Sequence, residues 1–158
     1  MKIGITGHQD RKGIQWKWVE DVLRSEIKKL PHVSEALTSL AVGSDQLFAE
    51  IALSLAVPVT AVIPMSNYEK FFSGREREKY YALLAKARHI QLKSSKDSAQ
   101  AFLDAGKYIV NESDVLFAVW DGEKADGVGG TGDIVKFALC RMKSIVHIDP
   151  IEKTVSVY

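Results

Sequence analysis

Short β-branched runs and longer stretches of helical periodicity alternate along the whole chain, and that alternation leaves few architectures open. The runs read as strands at Lys2–Thr6, Glu35–Val42, Val57–Ile63, His89–Lys93, Val115–Trp120 and Ser144–Ile148. Several are apolar almost throughout, the pattern of strands that helices cover on both faces of a parallel sheet. Between them, Trp16, Val19, Leu23, Ile27 and Leu30 recur at steps of three and four, so residues 15–30 form an amphipathic helix that Pro31 ends. Leu47, Phe48, Ile51, Ala52 and Leu55 mark a second helix, with Ser44 as its N-cap and Pro58 stopping it beyond. Further apolar stripes run through 75–87, 98–112 and 132–142, and Thr154–Tyr158 reads as an edge strand. Strand–helix alternation with right-handed crossovers predicts one α/β domain over residues 1–158: an open, doubly wound, mostly parallel sheet with helices on both faces.

Composition narrows the functional classes. Lys and Arg number 21 against 20 Asp and Glu, a net charge of +1, which gives no global pull toward nucleic acid or anionic lipid. The single cysteine, Cys140, has no intramolecular partner, as suits a reducing compartment. No apolar run approaches the ~18 residues that span a bilayer, and the first residues read as a strand, not a signal peptide. The expected location is the cytoplasm.

In a doubly wound sheet, ligands bind at the carboxyl ends of the strands, near the point where strand order reverses. The unusual residues of this sequence cluster after those ends: Gly7-His8-Gln9-Asp10-Arg11, Gly43-Ser44-Asp45-Gln46, Pro64 through Tyr68, then Asp121-Gly122 and Asp126 through Asp133. Gly129, Gly130 and Gly132 let backbone approach a ligand closely, and the following helix start offers unpaired N–H groups suited to phosphate, with Thr131 adding a hydroxyl. The loop is neither the dinucleotide fingerprint nor a P-loop, because no Lys-Ser/Thr pair follows the glycines. Ser44 and Asp45 are explained equally well as helix caps or as ligand contacts. Asp121 is read as a ribose acceptor or a turn former, and His8 as a structural or ligand-facing residue. His32, His89 and His147 are scattered, so no resident metal is expected. Tyr68 is the aromatic best placed to meet a base, whereas Phe71, Phe72, Tyr80 and Tyr81 sit at packing positions. Arg75 and Arg77 belong to a solvated helix face.

Taken in order, Gly4-Ile5-Thr6-Gly7-His8, Ala41 through Leu47, Asp114 through Gly122, and Gly129-Gly130-Thr131-Gly132-Asp133 resemble the SLOG superfamily of Rossmann-like domains. That superfamily includes the LOG-type proteins and the DprA/Smf DNA-processing proteins. The resemblance runs from Lys2 to about Asp149, and it implies a nucleotide or nucleotide-derived ligand with phosphate on the Gly129–Gly132 turn. The position of the catalytic Glu of LOG phosphoribohydrolases falls on Lys136, and Asp133 replaces the Thr of their motif. Gln9 stands where many relatives carry Arg, leaving Arg11 to supply an anion-anchoring charge. A second similarity, to nucleoside 2-deoxyribosyltransferases, would put their nucleophilic Glu at Ile134.

The missing carboxylates favour a binding module for a nucleotide or nucleotide-sugar, with Mg²⁺ entering only as a companion of the ligand. The alternative is an enzyme cleaving an N-glycosidic bond, for which Asp45, Asp121 and Asp133 are the candidate catalytic groups. The lack of a basic, aromatic-interleaved run argues against nucleic acid as a partner. Self-association is expected from the resemblance and from aromatics on the rim helices.

Overall fold

Alternating side chains on one central strand explain how this sheet is covered. In β5 (Val115–Val119), Phe117 belongs to one apolar cluster and Leu116 to the other, and both are buried. On the Phe117 face lie α1 (Trp16–Lys29), α2 (Ser44–Ser54) and α3 (Gly74–Leu84), contributing Leu23, Phe48 and Leu83; on the Leu116 face lie α4 (Ser98–Glu112) and α5 (Thr131–Cys140), contributing Ile109 and Ile134. The period-two alternation of a strand delivers one residue to each layer.

The structure, a computed structural model, describes residues 1–93, 97–124 and 128–158. Its strands β1 (Lys2–Gly7), β2 (Glu35–Thr38), β3 (Val59–Ile63), β4 (Arg88–Gln91), β5, β6 (Ser144–Asp149) and β7 (Thr154–Val157) form one seven-stranded sheet in the order β4-β3-β2-β1-β5-β6-β7. The first six pair in parallel and β7 closes the edge antiparallel to β6. This is the doubly wound, mostly parallel Rossmann-like architecture that the alternation predicts. Among the described residues no helix is long and apolar enough to cross a membrane.

The chain steps outward from β1 to β4, then α4 carries it back across the sheet to β5 beside β1. Strand order therefore reverses between β1 and β5, and the loops leaving those two strands diverge.

Three local differences from the sequence reading bear on the site. The second strand stops at Thr38 rather than Val42, because Leu40 turns the chain with φ 58° and the Asp45 carboxylate draws in the Ser39 N–H at 3.0 Å. Ser44 is the first helical residue of α2 and not its N-cap; that place belongs to Gly43, at φ 86° and ψ −117°. A one-turn 3₁₀ helix, Tyr68–Phe71, follows β3 where sequence periodicity gave no separate element.

Candidate functional site

A cavity of about 500 Å³ opens at the reversal point. One side is the end of β1 with Gly7, His8, Gln9 and Arg11; the opposite side is Trp120, Glu123 and Lys124 after β5, followed by the turn Gly129–Gly132. Asp45 and Ser39 contribute from the β2–α2 connection, and Tyr68, Phe71, Phe72 and Phe102 form an aromatic wall.

At the β1–β5 end, the Asp121 carboxylate accepts from Arg11 Nη1, and His8 Nε2 lies 3.1 Å from both the Asp121 backbone nitrogen and its Oδ1. Burial lowers the His8 imidazole below its ordinary value, against the opposing pull of Asp121. The neutral ring then accepts the Asp121 N–H at Nε2; once protonated, it would donate to the carboxylate instead. Burial alone would raise Asp121, but the Glu123 N–H, Arg11 and His8 together hold it below the usual carboxylate range. Arg11 is thereby fixed as a cation lining the cavity, its charge partly met by a carboxylate behind it.

The β2–α2 connection uses its polar groups inside the protein. The His8 carbonyl accepts the Ser44 hydroxyl at 2.7 Å and the Ser44 N–H at 3.2 Å. A Cβ on Gly7 would meet Ser44 Cβ and Oγ at 2.6 Å, and one on Gly43 would come within 2.2 Å of the Gln9 carbonyl oxygen. Both glycines therefore permit the β1 loop and the α2 start to touch. The buried Asp45 carboxylate accepts Thr38 Oγ1 at 3.1 Å and Ser39 N at 3.0 Å. Burial pushes its carboxyl up to about 6, despite those hydrogen bonds and one from the Ala41 backbone.

The glycine turn is arranged differently. Gly130 is the N-cap of α5, and the Gly129 N–H donates to Asp133 Oδ2 at 3.0 Å. Asp133 N and Ile134 N reach back to the Gly130 carbonyl at 3.1 and 3.3 Å. The N–H groups of Gly130, Thr131 and Gly132 have no acceptor among the described residues, although all three residues line the cavity. Three adjacent backbone donors at the positive end of a helix are suited to an anion.

The structure thus brings Gly7, His8, Asp45, Gly129, Gly130, Thr131 and Gly132 to one cavity. Gly43 and Ser44 lie behind its wall, occupied with the β1 loop, and Asp121 acts on the cavity through Arg11 and His8. Asp133 lies outside it, in a shallow groove beside Leu103, Lys107 and Lys136. Each candidate carboxylate is engaged by protein groups: Asp45 by Thr38 and Ser39, Asp121 by Arg11 and Asp133 by Gly129. Asp126 lies outside the described residues. Arg75 and Arg77 are exposed on α3, away from the cavity wall. Phe102, Glu123 and Lys124 line the cavity although the motifs do not point to them, and so do Phe71 and Phe72, which the sequence places at packing positions. Phe102 was legible only as part of an apolar stripe, because the sequence cannot say which end of α4 faces the reversal point.

The solved structure of DNA processing protein A (DprA) from Streptococcus pneumoniae is similar to this chain, with a TM-score of 0.61 and 18% sequence identity. The match covers 94% of this chain and 50% of that one, so the chain spans about half the length of DprA. The likeness is one of fold, and at that level it agrees with the SLOG resemblance read from the motifs. No protein-family model matches the chain, and no curated protein sequence does.

Proposed function

We propose that this chain binds a nucleotide or nucleotide-derived ligand in the cavity between the ends of β1 and β5, with an anionic phosphate on the turn Gly129–Gly132. The observation that carries the reading is the turn Gly130-Thr131-Gly132, which lines a cavity at the reversal point of the sheet and whose N–H groups have no acceptor among the described residues. Arg11 and Lys124 line the same cavity and supply positive charge from two other directions. The volume, about 500 Å³, is within the ordinary range for small-molecule sites.

Gly130→Asp tests this without disturbing the fold. Gly130 occupies an N-cap position with φ −72°, where Asp is a favoured residue. Its carboxylate would take the amides that a phosphate needs and add a repelling charge. Calorimetry with a panel of nucleoside mono- and diphosphates should show binding by the native chain and a loss of at least about a hundredfold in the folded variant, the order expected when a charge-assisted anion site is closed. Unchanged affinity in a folded Gly130→Asp variant would remove the glycine turn from the site.

Self-association belongs to the same reading. Leu139, Met142, Val157 and Tyr158 are exposed apolar or aromatic residues suited to contact with a second copy. Light scattering at micromolar concentration should give a mass of at least two chains; a monomeric mass would contradict it.

A further inference from the structure

Resting on the nucleotide reading above, we propose that Phe71 and Phe102 seat the base, so that the cavity selects nucleoside phosphates over phosphates that carry a sugar alone. Four aromatic side chains form one wall of the cavity, and the structure divides them by what already covers them. Tyr68 is 4% exposed and lies 5.1 Å from Phe72 and 5.6 Å from Tyr80, edge-on to both. Phe72 is stacked on Tyr80, with centroids 4.4 Å apart and an interplanar angle of 15°. These two rings are committed to the packing of α3 against the sheet.

Phe71 is different. It is 45% exposed while lining the cavity, and it meets Phe102 edge-on at 5.1 Å and 75°. Lys70 Nζ stands 5.4 Å from its ring centroid, which adds a cation beside the ring. An exposed phenyl at a cavity mouth gains from a planar partner that removes it from water, and two rings set at a steep angle form a corner for such a partner. Stacking accepts any base, because every base offers a π-face. Position strengthens the assignment. Gly129 packs on the first turns of α4, since a Cβ there would lie 3.1 Å from the Ala99 carbonyl oxygen and 3.3 Å from Leu103 N. Phe102 is the neighbour of Leu103 on that same turn, so the Phe102 side of the aromatic corner and the glycine turn rest on one helix, while Phe71 reaches the corner from the 3₁₀ turn after β3. The sequence favoured Tyr68 for this role; its burial assigns it to the core and leaves the role to Phe71.

Calorimetric titration with adenosine monophosphate, uridine monophosphate, ribose 5-phosphate and inorganic phosphate, on the native chain and on Phe71→Ala and Phe102→Leu, tests the assignment. Native protein should prefer both nucleotides to ribose 5-phosphate. Phe71→Ala should weaken both nucleotides about tenfold or more and leave ribose 5-phosphate within twofold of its native value. Phe102→Leu, which keeps an apolar side chain in the α4 stripe, should give a smaller loss in the same direction. Equal losses for nucleotide and ribose 5-phosphate, or nucleotide affinity unchanged in Phe71→Ala, would overturn the base seat. Native protein binding ribose 5-phosphate as tightly as nucleotides would overturn it too, while leaving the phosphate site standing. Native protein binding none of the four probes would overturn the nucleotide reading itself.

Discussion

Asp45 is the residue whose environment departs furthest from what its neighbours in sequence suggest. Gly43-Ser44-Asp45 reads as a helix start, and capping or ligand binding would each account for it. In the fold, its carboxylate closes the end of β2 through Thr38 and Ser39, and burial pushes it up to about 6. The folded value lies above the ordinary 3.8, so the folded state favours the protonated form. The stability this confers is present below the unfolded value and is lost as pH rises toward 6, a change of about 3 kcal/mol. Asp121 and Glu35, held low, act in the opposite sense only at more acidic pH. Denaturant unfolding should therefore show the native chain losing stability relative to Asp45→Asn between pH 4.5 and pH 7.5. Parallel stability curves for the two proteins would mean that Asp45 keeps its ordinary acidity. A backbone prediction stands beside it. Gly43 has φ 86° and faces the Gln9 carbonyl, so Gly43→Ala should cost about 2 kcal/mol or more. A loss below about half a kilocalorie per mole, in the range of ordinary surface substitutions, would show that the loop adapts.

At the scale of elements, sequence periodicity was a good guide wherever one face is apolar. The stripe through Phe102, Ala105 and Ile109 marks residues 98–112, and α4 spans Ser98–Glu112. The β-branched run Val115–Val119 is buried along its whole length, as its composition requires. Boundaries set by tertiary contacts were hidden. Nothing local announces that β2 ends at Thr38, because the cause is a carboxylate seven residues further on in the next helix. The 3₁₀ turn Tyr68–Phe71 was hidden for a similar reason: Tyr68 and Phe72 pack on Tyr80 of α3, and that packing turns Phe71 outward. The site itself was half legible. Glycines 129, 130 and 132 announce a close backbone approach in any context, whereas Arg11 gains its position from Asp121, 110 residues away in the chain. Asp133 shows the converse. Its place after the glycines fits a helix cap, a ribose contact or a partner of ligand-borne Mg²⁺, and in the structure its carboxylate accepts the Gly129 N–H.

For the whole molecule, the topology matters more than net charge. A chain carrying +1 overall still concentrates donors at one place, because the reversal between β1 and β5 leaves a crevice bordered by Arg11, Lys124 and the start of α5. The crossovers put α1 to α3 on one face and α4 and α5 on the other, and because the first six strands run parallel, their carboxyl ends share one rim. The donors gather there as a consequence of how the sheet is wound. The most direct test of the account is a nitrogen–proton correlation spectrum of the labelled protein during titration with a nucleoside monophosphate. With phosphate on the glycine turn, the amides of Gly130, Thr131 and Gly132 should undergo the largest saturable shifts, with the Arg11 guanidinium moving alongside. Saturable binding that leaves those three amides in place would contradict it.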